Sequence, residues 1–286
     1  MKPLARWLPD GKRLHLQHGP SDLVIYAEGM RQRAYEAAVA RFQTVIDEVS
    51  SELSILKTAV HPSSVYPEGN IAVSMFHAAV QFSDRGYITP MAAVAGAIAD
   101  EILEEMIEAA PLQRAYVNNG GDIALYLAPK TSFNTLMAGV DGRVLGHVTI
   151  LAGSGVRGMA TSGRHGRSLS RGIADSVTVL ARSAALADAA ATIVANSVNL
   201  QKHPAVQCIA ANTIREDSDL GTMSVVTHCG PLSEGDKTIA LNNGLSEAEV
   251  FCQSGKIKGA SLYLQGRTVS TKSASKFINH GEEAYV

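Results

Sequence analysis

Apolar and polar residues alternate with period two at Arg13 to Gln17 and again at Asp22 to Ala27, with the turn-forming triplet His18-Gly19-Pro20 between them. That pattern predicts a β-hairpin. From Met30 to about Leu56 the spacing becomes three and four, so that Ala34, Ala38, Phe42, Val45, Val49 and Leu53 would line one face of a single long amphipathic helix. After the breaking loop His61 to Pro67, the residues Ile71, Met75, Ala78, Ala79 and Phe82 repeat that spacing and leave His77 off the apolar stripe, as a solvated or core histidine. A third helix opens at Thr89-Pro90, with Thr89 as N-cap and Pro90 at the first helical position. Its Ala and Gly-rich start, Met91 to Ala99, lets another backbone or a flat ligand approach closely. Asp100, Glu101, Glu104, Glu105 and Glu108 then read as its solvated face, and Pro111 ends it.

The chain is organised around what comes next: strand Arg114 to Val117, the polar turn Asn118-Asn119-Gly120-Gly121-Asp122, and strand Ile123 to Leu127. Paired glycines allow positive φ and close approach to a ligand, and the flanking amides and carboxylate supply polar groups at a fixed point. A plain hairpin turn explains the same residues. Further strands are expected at Thr135 to Val140 and Leu145 to Leu151 across Asp141-Gly142-Arg143, and at Asp175 to Ala181. A helix from Arg182 to Asn196 follows, N-capped by Ser183. Near the end come a strand at Thr222 to Cys229, a helix at Ser246 to Gln253 with a Ser246/Glu249 capping box, and strands Ile257 to Leu264 and Thr268 to Ser270 across Gln265-Gly266. These should complete the sheet.

No Pro, Gly or Ser-rich linker divides the 286 residues, so one large α/β (α+β) domain is expected, with two fused halves as the alternative and a frayed polar end from about Lys272. The net charge of -2 and the 5% aromatic content argue against nucleic acid, which calls for a basic patch. Cys208, Cys229 and Cys252 form no CxxC pair, so neither a disulfide framework nor a structural zinc site is indicated, and Cys229 reads as a small core residue. Neither a signal-like start nor an apolar run of spanning length is present, and a cytoplasmic protein without a membrane partner is expected. A homo-oligomer stays open.

Two stretches carry candidate chemistry. Between Gly153 and Gly172 lie six glycines with Arg157, Arg164, His165, Arg167 and Arg171, a composition suited to gripping phosphate, or else a basic surface loop. No Walker or GxGxxG spacing accompanies it. On the alanine-rich helix, Asp188, Thr192 and Asn196 fall four apart on one face with no Lys or Arg at neighbouring positions. A carboxylate so placed needs a partner: a hard cation such as Mg²⁺ together with Thr192, or backbone N–H groups of a loop.

Asn119-Gly120-Gly121-Asp122, Ala160-Thr161-Ser162-Gly163, the strand from Asp175 and Ala187-Asp188-x-x-x-Thr192 stand in the order found in the ApbE family, the flavin transferases acting on FAD, which the chain resembles from about Met30 to Asn196. Thr89 to Gly96 with Asn118 to Leu125 look more specifically like a separate branch of that superfamily. The resemblance implies a T-fold-like antiparallel sheet packed by long helices. It also implies FAD, FMN or a related nucleotide near the Gly-Gly-Asp turn, so that Asn118, Asn119, Gly120, Gly121, Asp122, Thr161, Ser162, Gly163 and Arg164 are cofactor-binding candidates. Mg²⁺ would sit at Asp188 and Thr192. The transferases carry a lysine before a glycine where this chain has Ala95-Gly96, and of their His-Ile-x-Asp-Pro-x-Thr-Gly block only His165 and Asp175, the catalytic candidates, remain. The implied function is therefore a Mg²⁺-dependent enzyme acting on a small phosphorylated flavin, pterin or nucleotide in cofactor metabolism, not necessarily by flavin transfer. A non-catalytic flavin or nucleotide carrier is the alternative.

Overall fold

The computed structural model describes residues 3–139 and 142–280. The chain forms strands β1 (Leu4–Trp7), β2 (Leu14–His18) and β3 (Ser21–Gly29), then helices α1 (Arg31–Phe42), α2 (Val45–Ser51), α3 (Leu53–Leu56) and α4 (Asn70–Val80). A 3₁₀ turn at Pro90–Ala93 leads into α5 (Val94–Ala109), followed by β4 (Leu112–Asn119), β5 (Asp122–Leu127), β6 (Ser132–Ala138), β7 (Val144–Leu151), β8 (Gly158–Ser162) and β9 (Ser176–Ala181). Then come α6 (Ala184–Ser197), β10 (Val206–Ala210), α7 (Ala211–Ile214), β11 (Ser224–Cys229), α8 (Glu234–Gln253), β12 (Gly259–Leu264), β13 (Arg267–Ser270) and β14 (Ile278–Asn279). Two compact units emerge, one of Met1–Phe133, Ile150–Ala160 and Ala181–Ala189, the other of Asn134–Thr149, Thr161–Leu180 and Ala190–Val286. The fold is mixed α/β with a large antiparallel sheet and several helices.

In the first unit β1 to β5 are antiparallel neighbours in chain order and β8 pairs with β5. The predicted hairpin is β2–β3, with Leu14 facing Ile25 and Leu16 facing Leu23. Strict alternation along β3 buries Leu23, Ile25 and Ala27, with α1 packed on β2 and β3 and α5 on β4 and β5. Removing these side chains from water supplies the drive for that layer, roughly 25 cal/mol per Å² of apolar surface. Phe42, Val45 and Val49 are buried as the helical spacing demands, but the expected single helix is broken into α1, α2 and α3. The first break falls at Gln43-Thr44, where Arg41 gathers the Thr44 hydroxyl and the Glu48 carboxylate. The second falls at Glu52, whose carboxylate accepts the N–H groups of Glu68 and Gly69, each at 2.8 Å, just before α4. Side chains that bond outside their own helix make the chain bend there.

In the second unit β9, β12 and β13 run antiparallel, β14, β7 and β6 form a three-stranded sheet, and β10 with β11 form a separate pair. β11 thus joins a two-stranded ribbon instead of completing the sheet. Helix α8 is longer than the capping box at Ser246 suggested: it starts at Ser233, whose hydroxyl accepts the Asp236 N–H at 3.1 Å, and Ser246 lies in mid-helix. Its polar first turns hid it from an apolar-stripe reading. The polar end from Lys272, expected to fray, carries a 3₁₀ turn at Lys272–Lys276 and then β14, which pairs with β7. The expected hairpin turn at Asp141-Gly142-Arg143 lies partly outside the described residues.

Candidate functional site

In the first unit the site is built where the start of α6 meets the start of α5. Gly96 lies so close to α6 that a Cβ would collide with the backbone of Ala184. Of the two approaches its small residues allow, that of another backbone is realised. Contact at that range brings two carboxylates into reciprocal roles. Asp100, on α5, accepts the N–H groups of Ala184 at 3.0 Å and Ala185 at 2.9 Å, while Ser183 accepts that of Leu186 at 3.2 Å. The first turn of α6 is thereby satisfied. In return Asp188, on α6, accepts the Gly96 N–H at 3.1 Å in the first turn of α5. Each carboxylate sits at the positive end of the other's helix.

Burial pushes the Asp188 carboxyl well above the usual carboxylate range and the Asp122 charge pushes it further, against the N–H groups of Gly96 and Ala95. As whole residues Asp188 and Asp122 are half-buried. Burial likewise raises Asp100 to about 6, opposed by the N–H groups of Ala185 and Ala184. Two neighbouring carboxylates in a partly dry setting favour a proton or a cation between them. The donor set is hard oxygen, and among the described residues no group of three His, Cys, Asp or Glu side chains gathers around a metal position. Thr192 follows Asp188 one turn later on α6 and is half-buried.

The Gly-Gly-Asp turn is a hairpin between β4 and β5, with Asn119 opposite Asp122 and positive φ at Gly120 and Gly121. Its asparagines are committed to the fold. Asn118 Oδ1 accepts the Gly121 N–H at 2.8 Å, and the buried Asn119 accepts the Asp22 N–H at 3.3 Å while donating to the Ala95 carbonyl at 3.1 Å. The side chain of this turn whose charge reaches the metal candidate is Asp122.

In the second unit the sequence candidates gather around Asp175, at the entrance to β9. Its Oδ1 accepts from Arg164 Nε at 2.9 Å and Nη2 at 2.7 Å and from His165 Nε2 at 3.1 Å, and the carboxylate is 10% exposed. Arg164, a candidate for gripping phosphate, is therefore held in an ion pair inside the protein. Gly163, at φ +155, lies against the Asp175 carbonyl, where a Cβ would stand at 2.5 Å. Thr161 is exposed with its hydroxyl 3.1 Å from that of Thr178, and Ser162 is half-buried. Asn196, grouped by spacing with Asp188 and Thr192, instead accepts the Arg171 N–H at 2.9 Å. Part of the expected arginine loop is strand β8.

Two contributors lie outside the residues that the sequence singles out. The acidic pattern places Asp100 on a solvated face, yet it stands one turn after Gly96, on the face that approaches the other backbone. Gln265 donates its backbone N–H to Asp175 Oδ2 at 2.6 Å. Its signal is a glutamine at the first position of a two-residue hairpin turn, where Asn, Asp or Gly is usual.

The chain is 41% identical to a UPF0280 protein of Methanococcus maripaludis over 114 residues, 38% of this chain and 45% of that relative. It is 40% identical to a UPF0280 protein of Methanothrix thermoacetophila over 129 residues, 45% of this chain and 52% of that relative. The chain thus spans about half the length of these curated relatives. In fold it is similar to the apo flavinyl transferase ApbE of Pseudomonas stutzeri, with TM-score 0.55, 13% identity, and 99% of this chain and 98% of that one covered. It is similar as well to the ApbE protein of Thermotoga maritima, with TM-score 0.57, 12% identity, and 96% and 98% covered. Among the described residues no helix is long and apolar enough to cross a membrane. The family model described as AbpE bacteria matches residues 5–270, and the chain belongs to that family.

Proposed function

We propose that this protein is a Mg²⁺-dependent enzyme acting on a phosphorylated flavin or related nucleotide. The observation that carries the reading is the Asp122–Asp188 pair, in which the Asp122 charge raises the proton affinity of Asp188 while the Asp188 carboxylate is held by the first turn of α5. Asp188 and Asp122 would hold the ion, with Thr192 one turn after Asp188 on the same helix, and the ion supplies charge neutralisation for a phosphate group when bound. Flavin as substrate is supported by the structural similarity to a flavinyl transferase of Pseudomonas stutzeri and a flavin transferase of Vibrio cholerae.

The second unit offers a general base of its own. His165 donates Nε2–H to Asp175, which leaves the Nδ1 lone pair to accept a proton from an attacking hydroxyl or water. Asp175, paired with the Arg164 guanidinium, orients the ring, the task a buried carboxylate performs behind a catalytic histidine. Ala95 stands where the lysine of the resembled transferases would be, so this reading assigns that residue no part in the chemistry.

The test is incubation of the purified protein with FAD, with and without Mg²⁺, following binding by flavin fluorescence and products by mass spectrometry. Mg²⁺-dependent cleavage of FAD into AMP and a flavin monophosphate product is the expected result. Flavin binding without turnover would replace the enzyme by a carrier, and no binding of FAD or FMN under either condition would overturn the reading.

A further inference from the structure

Among the described residues Gln265 is one of three non-glycine positions with a left-handed backbone, at φ 44, and it precedes Gly266 at φ 87 in the two-residue turn between β12 and β13. A left-handed conformation is unfavourable for an L-residue, so a glutamine kept there needs a compensating role. The structure supplies one at each polar atom. The backbone N–H reaches Asp175 Oδ2 at 2.6 Å. The side-chain Oε1 accepts the Leu232 N–H at 2.9 Å, and Nε2 donates to the Gly230 carbonyl at 2.8 Å, with Cys229 Sγ 3.7 Å away. The residue clamps the segment between β11 and α8 with its side chain and holds Asp175 with its backbone.

We infer that Gln265 is a positioning residue for the Asp175–His165 pair. Oδ1 of Asp175 receives Arg164 and His165, while the Gln265 N–H binds Oδ2. A carboxylate held at both oxygens cannot rotate about its terminal bond, so the direction of the His165 ring follows from the place of the Gln265 N–H. That place is set in turn by the β12–β13 pairing and by the hydrogen bonds of the side-chain amide, from the Leu232 N–H and to the Gly230 carbonyl. The Cys229 to Leu232 segment and the β12–β13 turn thus move with the histidine. The inference rests on the reading that His165 and Asp175 take part in the chemistry, yet its geometry can be measured without any turnover.

The experiment compares wild type with Gln265→Gly and Gln265→Glu, measuring melting temperature and the hydrogen exchange of the Arg164 Nε–H by ¹H–¹⁵N NMR. Glycine suits φ 44, so a residue kept only for its turn would leave Gln265→Gly as stable as wild type with unchanged exchange. The positioning role predicts retained melting temperature with exchange about tenfold faster, the equivalent of ~1.4 kcal/mol lost from the Asp175 cluster. Gln265→Glu keeps the acceptor for Leu232 but loses the donor to Gly230 and should fall between. Should Gln265→Gly fail to fold, Gln265→Asn, which tolerates the left-handed region and keeps a shorter amide, takes its place with the same expectation. Unchanged Arg164 exchange in the folded variants overturns the inference. Faster exchange in a protein whose wild type turns over no flavin upholds the positioning and sinks only the functional reading.

Discussion

At the scale of single residues, the carboxylates of the α5–α6 crossing decide what can be measured first. Asp188→Asn removes the charge that a cation would meet, leaves an amide oxygen to accept the Gly96 N–H, and should abolish any Mg²⁺-induced rise in melting temperature while the metal-free protein stays folded. Identical Mg²⁺ responses in wild type and variant would remove the metal from Asp188. Asp100 makes a separate prediction. Its folded pKa, pushed up to about 6 from 3.8, means that the folded state binds its proton more tightly than the unfolded state. The contribution of Asp100 to stability should therefore rise as pH falls from about 7 through 6 towards 4, by up to about 3 kcal/mol, since each tenfold gain in proton affinity is equivalent to roughly 1.4 kcal/mol. The exposed fraction that Asp100 retains makes this an upper bound. Asp188, also raised, acts in the same direction. Urea denaturation at about pH 7.5 and about pH 5.5 checks the sign, and in Asp100→Asn the slope should flatten.

At the scale of elements, the fold depends on two close packings. Gly96→Ala would drive a methyl group into the Ala184 backbone, which cannot yield as a flexible side chain can. Overpacking of this kind costs roughly 1 to 3 kcal/mol, and here it would also part Asp188 from α5 and Asp100 from α6. A circular-dichroism melt of Gly96→Ala should show that loss, and an unchanged melt would mean that the helices slide apart freely. Phe42→Ala empties a fully buried position at the end of α1 and should cost about 3 to 5 kcal/mol, read by the same melt. The periodicity that located Phe42 was visible in the sequence because spacing of three and four is a local property. The break at Glu52 was not, because it depends on a partner as remote as Gly69.

At the scale of the whole chain, family membership rests on residues 5–270, and the low identity to the solved transferases speaks for the fold. Under the proposed function, FAD with Mg²⁺ should raise the protein's stability by mass action, about 2.7 kcal/mol at a ligand concentration a hundred times Kd, while either alone gives less. Thermal shift with FAD, FMN and riboflavin separates recognition of the phosphate from recognition of the ring. Equal shifts with riboflavin and FAD would count against a phosphate site.

The sequence alone determined the strands and helices whose signal is local: the β2–β3 hairpin by alternation, the Gly120-Gly121 turn by composition, α6 with its Ser183 cap, and the resemblance that named the family. It also singled out Asp188, because a carboxylate on an alanine helix without a nearby cation must find a partner somewhere. Which partner it finds was decided by tertiary structure. Backbone N–H groups 92 residues away in sequence, the neighbouring charge of Asp122, and the diversion of Arg164 into the Asp175 cluster all depend on contacts between distant segments. Composition could mark the stretch around Arg164 as suited to anions, but a guanidinium binds whichever carboxylate the fold brings within about 3 Å, and that distance exists only after folding.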